Sequence, residues 1–196
     1  MPERYPPHRL LSRGSGFPHP AAEHSLPLAV HARAGEHLGM ISRDDYLSFV
    51  DEALDGMIAI VAELGDERVN RRPDVPGSNS PYALLTHCLG VMEYWGGYIV
   101  AGRSIRRDRD AEFRAAGEVA DLVERARRAR RRLAGDVATA EPGAAPRGIP
   151  LPEDAGLPLA RTQGGALIHL YEELAQHRGQ MEGCRDVLLA PWAVLV

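Results

Sequence analysis

Apolar residues recur at steps of three and four along four stretches of the chain, a pattern typical of amphipathic helices. The first stretch covers about residues 44–64, and Gly65 is expected to end it. A helix-start signal precedes it at Ser42, where a serine is followed by an arginine and two aspartates. Its apolar face is formed by Tyr46, Phe49, Val50, Ala53, Leu54, Met57, Ile60, Val61 and Leu64.

Three further helices follow. The second is predicted to begin at Ser80 and Pro81, because serine is a good N-cap and proline suits the first helical position. It ends near Gly102, and its almost continuous apolar content predicts burial on most sides. The third and fourth helices are predicted over about residues 119–137 and 163–189.

The connections between these helices are long and carry helix breakers. Residues 66–78 contain two prolines, residues 103–113 are densely charged, and residues 140–162 contain five prolines. No segment alternates apolar and polar residues with period two, so strands are not expected. Four helices with such connections predict an all-α fold, a four-helix bundle.

The bundle is assigned to residues 40–196. Residues 1–39 contain six prolines and show no apolar periodicity, which predicts a disordered N-terminal extension. Alternatively, translation begins at Met40 and the preceding segment is not part of the protein. No chemistry is expected from it in either case.

Composition narrows the class of protein. A chain of 196 residues, 44% of them hydrophobic, fits one folded domain. No apolar run reaches the roughly 18–20 residues of a membrane span, and the two cysteines do not form a disulfide framework. These observations predict a cytoplasmic protein without a membrane partner. A homodimer through an apolar helix face is a further expectation.

Arginines are concentrated on the third predicted helix. Two interpretations are open: a stripe that binds phosphate or nucleic acid, or a solvated helix face. The net charge of −4 and the lack of interleaved aromatic residues favour the solvated face, and no nucleic-acid partner is expected. The cluster consists of Arg125, Arg127, Arg128, Arg130, Arg131 and Arg132.

The fourth helix carries residues that can bind a metal ion. His169, Glu173 and His177 are spaced four apart, so they lie along one helical face. Glu173 and His177 can approach one ion from adjacent turns. His87, within the apolar second helix, would complete a set of two imidazoles and one carboxylate that leaves a coordination position open.

Spacing alone leaves other interpretations open. A histidine on an apolar helix face is usually a core residue hydrogen-bonded to a neighbour, and Glu173 with His177 could form an ordinary surface pair. Glu172 or His169 could also replace one of the chosen ligands. Cys88 is expected to be a buried core thiol, whereas Cys184 could line the cavity of the site.

Four segments resemble those of a known superfamily. They are Ser-Pro-x-x-Leu-Leu-x-His at 80–87, Val-Met-Glu-Tyr-Trp at 91–95, Arg-Asp-Arg-Asp-Ala-Glu-Phe-Arg at 107–114, and His-x-x-x-Glu-x-x-x-His-x-Gly-Gln at 169–180. Together they resemble the DinB-like superfamily of metal-binding four-helix bundles. The Glu-x-x-x-His form is similar to the branch that contains mycothiol-dependent maleylpyruvate isomerase and the mycothiol transferases.

This resemblance implies a divalent metal ion bound by His87, Glu173 and His177. Zn²⁺ is the first expectation, and Ni²⁺, Fe²⁺ or Mn²⁺ would fit the same ligands. The resemblance also implies a low-molecular-weight thiol cosubstrate of the mycothiol type, activated as the thiolate by the metal. The implied activity is S-transfer of this thiol to small electrophiles.

Two points accompany this implied function. Arg107 and Arg109 are candidate substrate contacts, because the charged connector could place an arginine near the open end of the site. The alternative is a non-catalytic metal-binding bundle with a structural or stress-response role. That alternative predicts a closed coordination shell, for which His169 is a candidate fourth ligand.

Overall fold

A computed structural model describes residues 41–190 of the chain, and in this range the protein is helical, without strands. The extension predicted for residues 1–39 lies outside the described residues. The helices are α1 (Arg43–Val69), α2 (Pro81–Val91) with a π-helical continuation (Met92–Val100), α3 (Arg109–Glu112), α4 (Val119–Ala138) and α5 (Gln163–Leu189), with one 3₁₀ turn at Pro158–Ala160.

Four long helical segments form the bundle that the periodicity predicts. α1 packs against α4 and α5, and the α2–π segment packs between α4 and α5 on the other side. One core joins all four segments; its fully buried side chains include Leu54, Met57, Leu84, Leu133 and Leu170. The all-α four-helix bundle is therefore confirmed. None of the helices between residues 41 and 190 combines the length and hydropathy of a membrane span.

The first helix begins as predicted but ends later. The Ser42 hydroxyl accepts a hydrogen bond from the backbone N–H of Asp45 at 2.9 Å, and the Asp45 side chain returns to Ser42 as a capping box. Gly65 has φ 63° and ψ 176°, a conformation that glycine adopts readily and that interrupts the helix. Helical structure resumes beyond it to Val69, so the predicted end at residue 64 is one turn too early.

The second helix changes its winding half-way. The Ser80 cap and Pro81 in the first turn are confirmed. From Met92 onward the backbone is π-helical, which the apolar pattern did not predict. A π-helix widens the turn and shifts the direction of its side chains, and such segments occur often at functional sites. Here it carries Tyr94 and Trp95.

The charged connector also contains structure that the pattern missed. Asp108 accepts a hydrogen bond from the backbone N–H of Ala111 at 2.9 Å and caps the single-turn helix α3. This turn leads directly to Glu112 and Phe113, which reach the second helix. The predicted bounds of the last two long helices, 119–137 and 163–189, are met within one residue.

A buried ion pair fixes the end of the π-helical segment against α4. Asp136 is 5% exposed and accepts two hydrogen bonds from the Arg103 guanidinium, at 2.8 and 2.9 Å. Arg103 also donates to Glu93 at 3.0 Å. These hydrogen bonds hold the pKa of Arg103 above its ordinary value. Arg103, three residues beyond the π-helical segment, thereby links that segment, through Glu93, to α4, through Asp136.

Substitution Asp136→Asn is expected to lower the free energy of unfolding by about 1–2 kcal/mol, because a neutral amide cannot accept both guanidinium hydrogen bonds. The effect is limited, because the Arg103 side chain is 34% exposed and water screens the pair. Urea denaturation measures the change. Asp121→Asn, at an exposed first-turn position of the same helix, is the control; it should lower the free energy of unfolding less than Asp136→Asn does, because it removes only an exposed charge near the helix N-terminus. Equal midpoints for both variants would contradict the structural role of this pair.

Candidate metal centre

Three side chains from two helices bring their ligand atoms together in the interior of the bundle. His87 Nε2 lies 3.6 Å from Glu173 Oε2, and His177 Nε2 lies 3.5 Å from the same oxygen. One ligand atom from each residue lies within 4.8 Å of the others. The four-residue spacing along α5 accounts for the proximity of Glu173 and His177. Packing of α2 against α5 brings His87 to it.

The two competing ligands lie differently. His169 Nε2 approaches the other carboxylate oxygen of Glu173, Oε1, at 3.6 Å, while its Nδ1 lies 3.2 Å from Glu172. The His169 ring also packs edge-on against Trp95, with 4.9 Å between ring centroids. Among residues 41–190 the convergent group comprises His87, Glu173 and His177, and neither His169 nor Glu172 belongs to it.

Glu112 contacts the buried His87 ring at Nδ1, the ring nitrogen that does not face Glu173. Glu112 Oε2 lies 2.8 Å from His87 Nδ1, and its two oxygens accept hydrogen bonds from Arg107 at 2.8 and 3.0 Å. An ionised carboxylate paired with arginine can only accept, so the His87 Nδ1–H donates a hydrogen bond to it. Nε2 is therefore the ring nitrogen that faces Glu173 and His177. Without a metal ion it is a donor to Glu173, and after losing its proton it would offer a lone pair to an ion, as is usual for a metal-binding histidine supported by a carboxylate.

The charges of the group follow from these hydrogen bonds. Hydrogen bonds from His177 and His87 hold the pKa of Glu173 far below its ordinary range, against the opposing effect of burial. Burial would raise the pKa of Glu112, but His87 and Arg107 together lower it. Burial would likewise lower the pKa of His87, and its hydrogen bonds to Glu112 and Glu173 raise it instead. Both carboxylates are therefore ionised.

Ring contacts fix the planes of the two imidazoles. Phe113 stacks on His87, with ring centroids 4.5 Å apart and planes 26° from parallel. His177 meets His87 nearly at a right angle, at 5.0 Å and 86°. Because Phe113 follows Glu112 directly in sequence, the C-terminal end of α3 both stacks on and hydrogen-bonds to the same ring. His87 is consequently pre-oriented before any ligand binds.

A cavity of about 290 Å³ opens beside the group, here called the metal-side cavity. It brings together residues from α2, the π-helical segment, the charged connector, the loop before α5, and α5 itself. Trp95, the last residue of the 91–95 motif, is part of its lining. The lining comprises His87, Val91, Tyr94, Trp95, Arg107, Arg109, Leu151, Glu153, Asp154, His169 and Glu173.

The candidate substrate contacts Arg107 and Arg109 both line this cavity, but their guanidiniums have different partners. The Arg107 guanidinium is engaged by Glu112. Arg109 is exposed, and its guanidinium carbon lies 5.5 Å from the centre of the Phe113 ring. Arg109 thus has hydrogen-bond donors free for a ligand, whereas Arg107 serves to hold Glu112.

The two thiols lie away from the group. Cys88 is fully buried in the core, as expected, and burial raises its pKa above the ordinary range. Cys184 was expected to be able to line the cavity of the site. It lies instead beside the loop before α2, 3.8 Å from the carbonyl oxygen of Asn79. Seven residues beyond His177 it shares a helical side, but the bundle places that turn next to a different loop.

The donor set is chemically suited to a divalent ion of the zinc type. It offers two imidazole nitrogens and one carboxylate oxygen, the combination found in catalytic zinc sites. The His87 side chain is 3% exposed, whereas those of Glu173 and His177 are 27% and 20% exposed. One side of the group therefore faces the cavity. Sequence reasoning missed Glu112; the only signal was its place in the 107–114 segment.

Comparison with known proteins gives one match. A family model described as mycothiol-S-transferase matches residues 45–189, which span all five helices apart from the first two residues of α1. No curated protein and no solved structure matches the chain. The matched range contains every residue of the metal-side cavity.

Proposed function

Because the chain belongs to the mycothiol-S-transferase family, we propose that it transfers a low-molecular-weight thiol of the mycothiol type to small electrophiles. We propose further that His87, Glu173 and His177 bind a divalent metal ion, with Zn²⁺ the first expectation and Ni²⁺, Fe²⁺ or Mn²⁺ suited to the same donors. The observation that carries the proposal is the convergence of these three ligand atoms within 4.8 Å beside a cavity.

The metal would supply a Lewis acid that lowers the pKa of a coordinating thiol, so that the nucleophile forms near neutral pH. The protein's own residues supply orientation. Glu112 keeps the proton on His87 Nδ1, and Arg107 keeps Glu112 ionised. Tyr94 and Trp95 form an aromatic side of the cavity, against which the apolar part of a substrate would pack.

Arg109 is the better of the two candidate substrate contacts. Its guanidinium has no carboxylate partner among the ion pairs of residues 41–190, and it lies at the cavity. A guanidinium binds carboxylate and carbonyl oxygens with two parallel hydrogen bonds. We therefore propose that Arg109 orients an oxygen-bearing electrophile. Arg107 is proposed as a positioning residue that acts through Glu112.

The alternative, a non-catalytic bundle with a closed metal shell, has His169 as its candidate fourth ligand. His169 lies on the other oxygen of Glu173 and is engaged by Glu172. This arrangement leaves the cavity side of the three-atom group open, which favours a site that accepts a substrate atom.

The activity is tested with a zinc-loaded protein, mycothiol and a fluorogenic alkyl halide. A new S–C bond forms while the carbon–halogen bond breaks, and the thiol proton passes to solvent with release of halide. Conjugate formation is expected to exceed the spontaneous rate, to stop after chelation, and to return on adding zinc. Glutathione replaces mycothiol in a parallel reaction to define the thiol.

A protein that retains stoichiometric zinc but leaves the spontaneous rate unchanged with every thiol would overturn the transferase proposal and favour the non-catalytic bundle. A protein that accelerates the reaction equally well after complete removal of metal would instead overturn the role of the ion. Arg109→Gln should raise KM for carboxylate-bearing electrophiles while kcat for neutral ones stays unchanged.

A further inference from the structure

A second cavity, of about 350 Å³, lies between α2, the connector before α3 and α4. It is distinct from the metal-side cavity, although Arg107 contributes to both linings. Five arginines and three carboxylates surround it, so positive charge is in excess. The arginines of this arginine-lined cavity are Arg106, Arg107, Arg125, Arg128 and Arg132.

The three carboxylates of this cavity already have partners. Glu112 is bound by Arg107 and His87, and Glu93 accepts hydrogen bonds from Arg103 and pairs with Arg132 at 2.8 Å. Asp108 caps α3. Glu112 and Glu93 are therefore already paired with arginines, whereas Asp108 makes no ion pair in the described part of the chain and leaves two arginines in excess of the carboxylates.

Three of the five guanidiniums keep unused donors. Arg106 has no ion pair or hydrogen bond to any residue in the described part of the chain. Arg125 makes one long contact, 3.5 Å, to the Tyr82 hydroxyl. Arg128 has a 3.4 Å pair with Glu124 in which both side chains are about half exposed, a type of pair that contributes little. Such donors converging on one concavity are the usual arrangement for binding an anion.

An independent observation points to the same place. Thr86 lines the cavity, is 7% exposed, and its hydroxyl has no hydrogen-bond partner in the protein. A buried hydroxyl without a partner is costly and rare in a folded protein. Threonine in a helix commonly bonds to a backbone carbonyl one turn earlier, and here it does not. This unpaired hydroxyl therefore belongs to a residue in the wall of the same cavity that the guanidiniums with unused donors line.

Only some arginines of the cluster that the sequence assigned to a solvated face line this cavity. Arg125, Arg128 and Arg132 follow the spacing of one helix side and line the cavity. Arg127 is exposed and lies outside it, and Arg130 pairs with two aspartates of α1, Asp51 and Asp55. Arg128 and Arg132 are themselves about half exposed, so the cavity is an open part of this solvated face.

We propose that the arginine-lined cavity binds a phosphate group, either as the free ion or as part of a small phosphorylated molecule, through Arg106, Arg125 and Arg128. A tetrahedral dianion can accept hydrogen bonds from three guanidiniums at once. A single carboxylate has fewer acceptor oxygens and only one negative charge to set against the three positive charges. The volume exceeds that of a phosphate ion, so room remains for a small organic group. This site does not require the proposed transferase activity.

The proposal is tested by titrating the zinc-loaded, ¹⁵N-labelled protein with inorganic phosphate at constant ionic strength, with chloride as the compensating salt. Saturable shifts are expected for the backbone amides of Gly90 and Ala111, which line the cavity. The variant Arg125→Gln should weaken binding about tenfold, since one charge-assisted hydrogen bond is lost. Glucose 6-phosphate, titrated in parallel, separates a monoester site from one limited to the free ion.

The matched control is Arg127→Gln, which removes the same charge from the same helix outside the cavity. It should bind phosphate as the wild type does. Three results would overturn the proposal: no saturable shift at Gly90 or Ala111, equal weakening by the two variants, or shifts confined to residues of the metal-side cavity such as Trp95. Retained helical circular dichroism in both variants shows that any loss is not a loss of fold.

Discussion

Substitution His177→Ala is expected to weaken binding of a divalent metal ion by more than about 100-fold, beyond the effect typical of losing a residue that only supports a ligand. His177 Nε2 is one of the three atoms that converge within 4.8 Å. Without it, one imidazole and one carboxylate remain, and a chelate from two helices loses half of its α5 contribution. Elemental analysis after dialysis measures the loss directly.

The matched control is His169→Ala. Both histidines lie on α5, one turn on either side of Glu173, and both approach that carboxylate, at 3.5 and 3.6 Å. They differ in the oxygen that they approach, and only His177 belongs to the convergent group. The His169 variant should therefore keep near-stoichiometric metal. If it loses metal as completely as the His177 variant, the closed shell of the alternative function is supported instead.

Substitution Glu112→Gln is expected to weaken metal binding 10- to 100-fold although Glu112 is not a ligand. The carboxylate accepts one hydrogen bond from His87 and two from Arg107. A glutamine offers one acceptor oxygen, and its amide N–H₂ would face either the His87 Nδ1–H or the guanidinium, both donors. The His87 ring would then turn or change tautomer. Competition with a chromophoric zinc chelator gives the affinity.

Gly90→Ala tests the same contact without removing a charge. A Cβ at this position would clash with Glu112 Oε1 and lie 2.6 Å from its carboxyl carbon, so the carboxylate must move. Its metal affinity should fall in the same direction as that of Glu112→Gln. The control Glu172→Gln removes an exposed carboxylate adjacent to Glu173 and should leave the affinity unchanged. Wild-type affinity in both test variants would mean that the contact is not needed to orient His87.

The sequence was sufficient to place the four long helical segments because their signals are local. An N-cap acts on the next three residues, and an apolar stripe repeats within one helix, so Ser80, Pro81 and the whole of α5 could be placed without the rest of the molecule. The proximity of Glu173 and His177 could likewise be predicted from their spacing along one helix. The resemblance to the DinB-like superfamily and its mycothiol branch, carried by short motifs, is confirmed by the family match.

Only the tertiary structure decided which groups meet across helices. Glu112 reaches His87 because α3 folds the charged connector back onto α2, and no periodicity encodes that return. The separate roles of Arg107 and Arg109, the π-helical turn that carries Trp95, and the placement of Cys184 depend on how four helices pack. Helix propensity and pattern fix directions along one helix, whereas the distance between two side chains on different helices is set by the packing of the whole core.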